Sequence, residues 1–278
     1  MTLDADTLIA EHTIAMIIRH LEDPKVGAVS GNVKIGNTKN LLTWWQHIEY
    51  VTGYNLEKRA FDELDSITVV PGAIGAWRKS ALLEVDLFEE DTLAEDTDVT
   101  IKLLRHGYKI RSEVKAIAYT EAPEDVKSFI KQRYRWTFGI LQCIWKHRAA
   151  LLNKDNKKLG FIAMPNMIFQ YLLLAIAPLA DYIFILALIS GNKSVISFYG
   201  IFLLLDSFVS IYAFSLENEK KKPLLSLFIQ RMVYRQFFTF VVWKTYVNAI
   251  KGQLQGWNKL QRTGNVTQTE IEEIQRQL

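Results

Sequence analysis

The sequence predicts an α/β layer with a largely parallel sheet, followed by apolar helices for which lipid is the natural solvent. Two observations predict it. Through residues 1–158, short apolar runs alternate with segments of helical period, the pattern of strands and helices packed in layers. Hydropathy is also segregated. The mean of +0.04 is high for 278 residues of which 23% are charged, because residues 159–250 are dominated by Leu, Ile, Phe, Ala, Val and Tyr. The chain therefore divides into 1–158, 159–250 and a polar tail at 251–278.

Residues 7–22 carry Leu8, Ile14, Ile18 and Leu21 at helical spacing and predict an amphipathic helix ended by Asp23-Pro24. Val26 to Ser30 suits a buried strand closed by Gly31. Leu41 to Leu64 is helical in pattern and rich in aromatics (Trp44, Trp45, Tyr50, Tyr54). Trp44 and Trp45 fit core or interfacial anchors better than sugar platforms. Ile67 to Val70 is β-branched and runs into Pro71-Gly72, a strand ending in a turn. Asp96 to Arg105 reads as a helix stopped by Gly107, Val114 to Tyr119 as a strand, and Glu124 to Arg148 as a long helix.

Beyond residue 158, Leu159–Ser190 is apolar but broken by Pro165, Pro178 and Asp181. Val195–Leu216 carries one charge, Asp206, and as a helix of 22 residues spans roughly 33 Å, enough for a hydrocarbon core of about 30 Å. Lys220, Lys221 and Lys222 follow, which by the positive-inside tendency puts that linker, and the polar half, in the cytoplasm. Gly191 to Ser194 then lies outside. Leu224–Ile250 is a third apolar segment, but Arg231, Arg235 and Lys244 predict that it lies partly at the interface or packs on the polar domain. Asp206 is a candidate channel group or a partner for Arg231 or Arg235.

Charge and cysteine usage exclude some classes. A net charge of +3 without a basic-aromatic patch argues against nucleic acid. The single cysteine, Cys143, excludes an internal disulfide framework and a cysteine-based zinc site. None of the five histidines pairs at metal-ligand spacing.

Three constellations carry chemistry. Asp4-Ala5-Asp6 sets two carboxylates where they can converge on a divalent cation bridging a diphosphate, although Asp6 equally suits a helix N-cap. Glu95-Asp96 opens a helix, where acids suit the macrodipole; one of them can also act as general base toward a sugar hydroxyl. Gln132, Arg135 and Trp136 share one helix face, giving an amide, a fixed cation and an indole. Such a face can grip a pyrophosphate and stack on a pyranose, or sit at lipid headgroups.

In this order, and followed by apolar spans, these clusters resemble the processive family-2 glycosyltransferases that make cellulose, chitin, hyaluronan and poly-N-acetylglucosamine. The matches are Asp4-Ala5-Asp6, Glu95-Asp96 and Gln132-x-x-Arg135-Trp136, with Val26 to Gly31 and Val70 to Trp77 resembling the family's first strand and acceptor-side loop. Spacing and the Trp-rich segment are most similar to the poly-β-1,6-N-acetylglucosamine synthase branch.

The resemblance implies a GT-A (Rossmann-like) catalytic domain followed by a transmembrane region in the plasma membrane. It implies a UDP-sugar donor, a growing glycan acceptor, Mg2+ or Mn2+ held by Asp4 and Asp6, Asp96 as base and Glu95 in support. Gln132 and Arg135 would contact donor or acceptor, Trp136 would stack on the terminal sugar, and Gly72 belongs to the loop walling the acceptor site. A deacetylase or an accessory membrane subunit is the implied partner.

Two departures stand out. Ala94 replaces the family's usual Thr before Glu-Asp, and only Thr2 and Leu3 remain of the strand that leads to Asp-x-Asp. The expectation is thus a GT-A domain lacking its N-terminal half: a fragment, a mis-started reading frame or one piece of a split protein. The rival expectations are an inactive remnant, a transporter with a cytoplasmic domain, and a non-processive transferase loading a lipid carrier.

Overall fold

The computed structural model describes residues 1–251, so the expected polar tail lies outside the described residues except for Lys251. Four strands form one sheet: β1 (Leu8–Ile9), β2 (Val26–Ile35), β3 (Gly75–Trp77) and β4 (Lys109–Thr120), ordered β1-β4-β2-β3. β2 and β4 run parallel, while β1 against β4 and β3 against β2 are antiparallel. The largely parallel sheet of the sequence reading is therefore corrected to a mixed one. An apolar run marks a strand without giving its direction.

Every residue of β2 is buried, as befits a central strand covered on both faces. Gly31 does not close that strand but sits inside it, where the register to β4 shifts between Ser30 and Asn32. A Cβ there would lie 2.8 Å from Ile74 Cδ1 and 2.9 Å from the Ala116 carbonyl oxygen, so the bulge needs glycine for close approach rather than for a turn. Leu8–Ile9 pairs with Tyr119 and Ala118 instead of starting a helix. Helix α1 accordingly spans only Thr13–His20, and Asp6 is not its N-cap. Ile67–Val70 joins no strand; the Val70 N–H donates to Thr100 Oγ1 at 3.2 Å.

The aromatic segment is helical throughout, but in three pieces. Helix α2 (Leu41–Glu49) starts from a capping box between Asn40 and Thr43. A π-helical turn, Tyr50–Asn55, then leads into α3 (Leu56–Glu63). Trp45 is buried and Trp44 partly exposed. Helix α4 (Lys79–Glu84) follows β3. Helix α5 (Glu95–Arg105) carries Glu95, Asp96 and Asp98 in its first turn, where the macrodipole favours acids. Gly107, at φ 85°, allows the chain to leave it. Helix α6 (Val126–Lys146) is capped by Asp125, which accepts from Ser128 N at 2.9 Å.

Three long helices complete the chain: α7 (Met164–Ser190), α8 (Lys193–Leu216) and α9 (Leu227–Ile250). Leu159–Ser190 and Lys193–Leu216 are long and apolar enough to cross a membrane; their most apolar 18-residue stretches have mean hydropathies of 2.5 and 1.8 and lie mostly uncovered. Helix α9 behaves as its arginines imply. Arg231 makes two hydrogen bonds to Asp206, at 2.8 and 2.9 Å, and Arg235 pairs with Asp181 at 3.0 Å. Its aromatic side packs on the α/β layer, with the Tyr234 and Phe238 rings 5.0 and 5.7 Å from Phe129. The linker after α8 is pinned to the same layer: Lys34 reaches Glu219 at 2.7 Å and Arg59 reaches Glu217 at 2.6 Å.

Candidate active site

Backbone pairing brings the two acidic segments together. Thr2 bridges Gly75 on the free side of β3, through N···O distances of 2.8 and 3.2 Å. That bridge sets Asp4 beside Gly72, where a Cβ would lie 3.3 Å from Asp4 Oδ1. On its other side the Gly72 N–H donates to the Asp96 carboxylate. Gly72 thus stands between the Asp4 and Asp96 carboxylates, and the lack of a side chain lets them approach.

Asp96 is further held by the Thr97 N–H at 2.7 Å. Its turn is tied down by Thr100, whose hydroxyl donates to the Asp96 carbonyl at 2.6 Å and accepts from Val70. Burial, followed by the charge of Glu95, pushes the Asp96 carboxyl up to about 6, against the pull of the Thr97 and Gly72 donors. A carboxylate so tuned is ionised at neutral pH yet basic enough to accept a proton.

Helix α6 supplies the third group. Gly139 lets it lie directly on the chain before α5: a Cβ there would be 2.7 Å from Leu93 C and Ala94 N. Gln142 Oε1 accepts from Leu93 N at 2.9 Å in the same contact. Three helical residues earlier, Trp136 faces the cleft, and Gln132 and Arg135 line it as well. All eight residues singled out in the sequence (Asp4, Asp6, Gly72, Glu95, Asp96, Gln132, Arg135 and Trp136) line one cleft of about 1210 Å³.

The sequence reading missed several residues of this cleft. Arg133, 1% exposed, lies with its guanidinium 4.4 Å over the Trp136 ring and pairs with Glu49 at 2.6 Å. Tyr54, on the π-helical turn, meets the Trp136 ring edge-on at 6.4 Å. Lys58 donates to the Gly31 carbonyl at 3.3 Å; burial lowers its amine to about 8, although Glu217 and Asp96 favour its charge. For Tyr54 the available signal was its place in the aromatic segment; nothing local marks Arg133 or Lys58.

The donor set suits a hard divalent cation at Asp4 and Asp6, two carboxylates beside a backbone cradle that a Cβ would fill. A second acidic cluster, Glu89, Asp91 and Asp98, has its oxygens close enough for a metal. There the Lys146 ammonium already lies 2.8 Å from Asp91 and 3.0 Å from Asp98, and Lys102 lies 2.7 Å from Glu89. Buried His147 contacts Asp98 at 2.7 Å. That cluster joins α5 to α6 by ion pairs, and two ammonium groups already share its carboxylate oxygens.

Comparison with known proteins decides the family. Residues 1–216 match the model of glycosyl transferase family group 2. The chain belongs to that family. This glycosyltransferase is 34% identical over 140 residues to the poly-β-1,6-N-acetyl-D-glucosamine synthase of Staphylococcus aureus (strain COL), a match covering 50% of this chain and 34% of the synthase. With the Staphylococcus epidermidis synthase the identity is 35% over 150 residues, covering 52% and 36%. The matches thus span about a third of these relatives' length. A mannosyltransferase from Pyrobaculum calidifontis, solved with GDP-Man and Mn2+, superposes with a TM-score of 0.59 at 17% identity, over 91% of this chain and 62% of that one. That likeness shows the GT-A-like fold.

Proposed function

We propose that this glycosyltransferase polymerises a β-linked polysaccharide from a UDP-sugar, with UDP-N-acetylglucosamine as donor, on the cytoplasmic face of the plasma membrane. The observation that carries the reading is the single cleft. Its carboxylate end holds Asp4, Asp6, Glu95 and Asp96, and its other end continues past Trp136 between α7 and α9. A growing glycan has a path there from the reacting centre into the apolar helices. The named staphylococcal relatives support the choice of sugar.

In this mechanism Asp96 removes the proton of the acceptor hydroxyl as its oxygen attacks C1 of the donor. The C1–O bond to UDP breaks in line, and the anomeric centre inverts. Asp4 and Asp6 would hold Mg2+ or Mn2+, which would neutralise charge on the departing diphosphate. Glu95 keeps Asp96 basic, Arg135 and Gln132 hold donor or acceptor, and Trp136 stacks on the terminal sugar with Tyr54 against its edge. Positioning of the reactants by these side chains supplies much of the acceleration.

Turnover of radiolabelled UDP-N-acetylglucosamine by the full-length protein in membranes tests this. Asp96→Asn is expected to lower turnover by about 10² to 10⁴-fold, the usual worth of a general base, with donor binding retained. Trp136→Ala is expected to give short products or none. Unchanged turnover in the Asp96 variant would sink the proposal.

A further inference from the structure

The chain between α6 and α7 leaves a second, apolar notch outside the cleft. Pro165, Ile168, Phe169 and Leu172 recur at helical spacing along α7 and form one wall. Leu151 and Leu152 form the other, around a volume of about 490 Å³. Asn166 also lines it, but its amide is turned to Glu57, which accepts at 3.1 Å. Phe169 and Leu172 are more than half exposed, so none of the described residues covers this face.

Leu152 is the unusual member. It sits at φ 58°, a left-handed conformation that strains a residue with a side chain, and it is 60% exposed. The loop is held there from behind. Its Leu152 N–H donates to the Gly160 carbonyl at 3.0 Å, and a Cβ at Gly160 would lie 2.8 Å from Ala150 O and Asn153 N. Burial within the protein does not offset the strain at Leu152, so the contact its side chain makes lies outside the chain.

Around that tip the surface is basic. Arg148, Lys154 and Lys157 are exposed, and none pairs with a carboxylate among the described residues; Asp155 is the one acid between them. Arg148 lies 4.6 Å over the ring of Trp145, itself 71% exposed. Directly after this loop begins the apolar stretch Leu159–Ser190. An exposed tryptophan, free-standing cations and an apolar tip at the start of a span match the headgroup level of a bilayer.

We propose that this notch holds one anionic phospholipid from the leaflet on the side of the catalytic layer. An acyl chain lies between Leu152 and α7, and the phosphate meets Arg148, Lys154 and Lys157. Place and charge select this occupant. Lipid reaches the outward face of a crossing helix, and three cations without carboxylate partners favour a headgroup of net negative charge over a zwitterionic one. The inference rests on α7 crossing the bilayer and not on the sugar transferred.

The experiment titrates dioleoylphosphatidylglycerol or dioleoylphosphatidylcholine into the detergent-solubilised full-length protein. It reads the thermal midpoint, which a ligand of the folded state raises by mass action, and counts retained lipids by native mass spectrometry. The parent is expected to keep one phosphatidylglycerol and to prefer it by on the order of 10²-fold, each cation contributing about 5-fold. Arg148→Gln, Lys154→Gln and Lys157→Gln together are expected to remove that preference. Lys221→Gln with Lys222→Gln, on the same side of the membrane, is expected to keep it. Leu152→Gly relieves the strained backbone, so its lipid-free midpoint is expected to hold, while affinity for both lipids falls about 10-fold.

Equal affinity of the parent for the two lipids, or an equal loss when Lys221 and Lys222 are changed, would reduce the effect to diffuse charge and overturn the site. Parent-like binding by Leu152→Gly would overturn the acyl notch. A parent that is dimeric in detergent and becomes monomeric with Leu152→Gly would assign the notch to a second copy instead. No readout needs glycosyl transfer, so failure of the polymerase reading is told apart from failure here.

Discussion

At Asp96 two influences oppose each other, and their balance is measurable. Burial and the neighbouring Glu95 raise its carboxyl to about 6, while Thr97 and Gly72 donate to the ionised form. With Asp96 as the base proposed above, catalysis is lost as pH falls through that value, so kcat should show an acidic limb at or below about 6, a bound cation moving it lower. Removing the Glu95 charge takes away one of the two raising causes. Glu95→Gln should therefore shift the limb to lower pH, and a limb that stays put or rises in a kcat–pH profile would contradict the coupling. Asp4, Asp6, Glu95 and Asp96 stood out only through their order with Gln132, Arg135 and Trp136, since adjacent acids also occur at Glu22-Asp23, Asp62-Glu63, Glu89-Glu90-Asp91 and Glu124-Asp125; the structure lines one cleft with all four. Arg133 did not stand out, although it stacks on Trp136. Its partner Glu49 is 84 residues away, and nothing local marks such a pair. Lys58 escaped for the same reason, since its neighbours Gly31 and Glu217 come from distant segments.

At the scale of elements, the helices were the more legible part. Helical period, caps and the Gly107 stop predicted α5, α6 and the aromatic helix to within a few residues. The π-helical turn at Tyr50–Asn55 left no mark in the period, yet it carries Tyr54 to Trp136. Strands fared worse, because strand formation depends on partners. Ile67–Val70 has the residues of a strand but not the neighbours, whereas Leu8–Ile9 has the spacing of a helix but pairs with β4. The contact that matters most for the site is between α6 and the chain entering α5, at Gly139. A methyl group there meets backbone atoms at 2.7 Å, and backbone cannot rotate aside. Gly139→Ala should force α6 off Leu93-Ala94 and separate Trp136 from Asp96. The expected cost is about 1–3 kcal/mol, as for overpacking elsewhere, with a loss of turnover larger than the loss of folded protein. Denaturant midpoints set beside specific activity would check this; wild-type values for both would refute the role given to that contact.

For the molecule as a whole, buried ion pairs fix how the α/β layer sits against the long helices. Lys34, 3% exposed, reaches Glu219 at 2.7 Å, and burial of Glu219 is outweighed by His47 and Lys34, which hold its carboxyl down at about 2. The linker after α8 is therefore joined to the catalytic layer, and both occupy one side of any bilayer that α7 and α8 cross. The turn between those helices, next to Lys193 at the start of α8, lies 24–27 helical residues away from either end of the hairpin, a rise of roughly 36–40 Å and enough to reach the far side. This arrangement predicts opposite labelling of two exposed positions. Cys143 is the only cysteine and is buried, so burial keeps its thiol up at about 12 and unreactive. In intact cells, Lys193→Cys should react with a membrane-impermeant maleimide. Lys221→Cys should react only after the membrane is permeabilised, because it shares the side of the cleft, which in the function proposed above meets a cytoplasmic nucleotide sugar. Labelling of both positions from outside would show that α7 and α8 do not cross as a hairpin, and labelling in the reverse order would put the cleft on the side where no such donor is supplied.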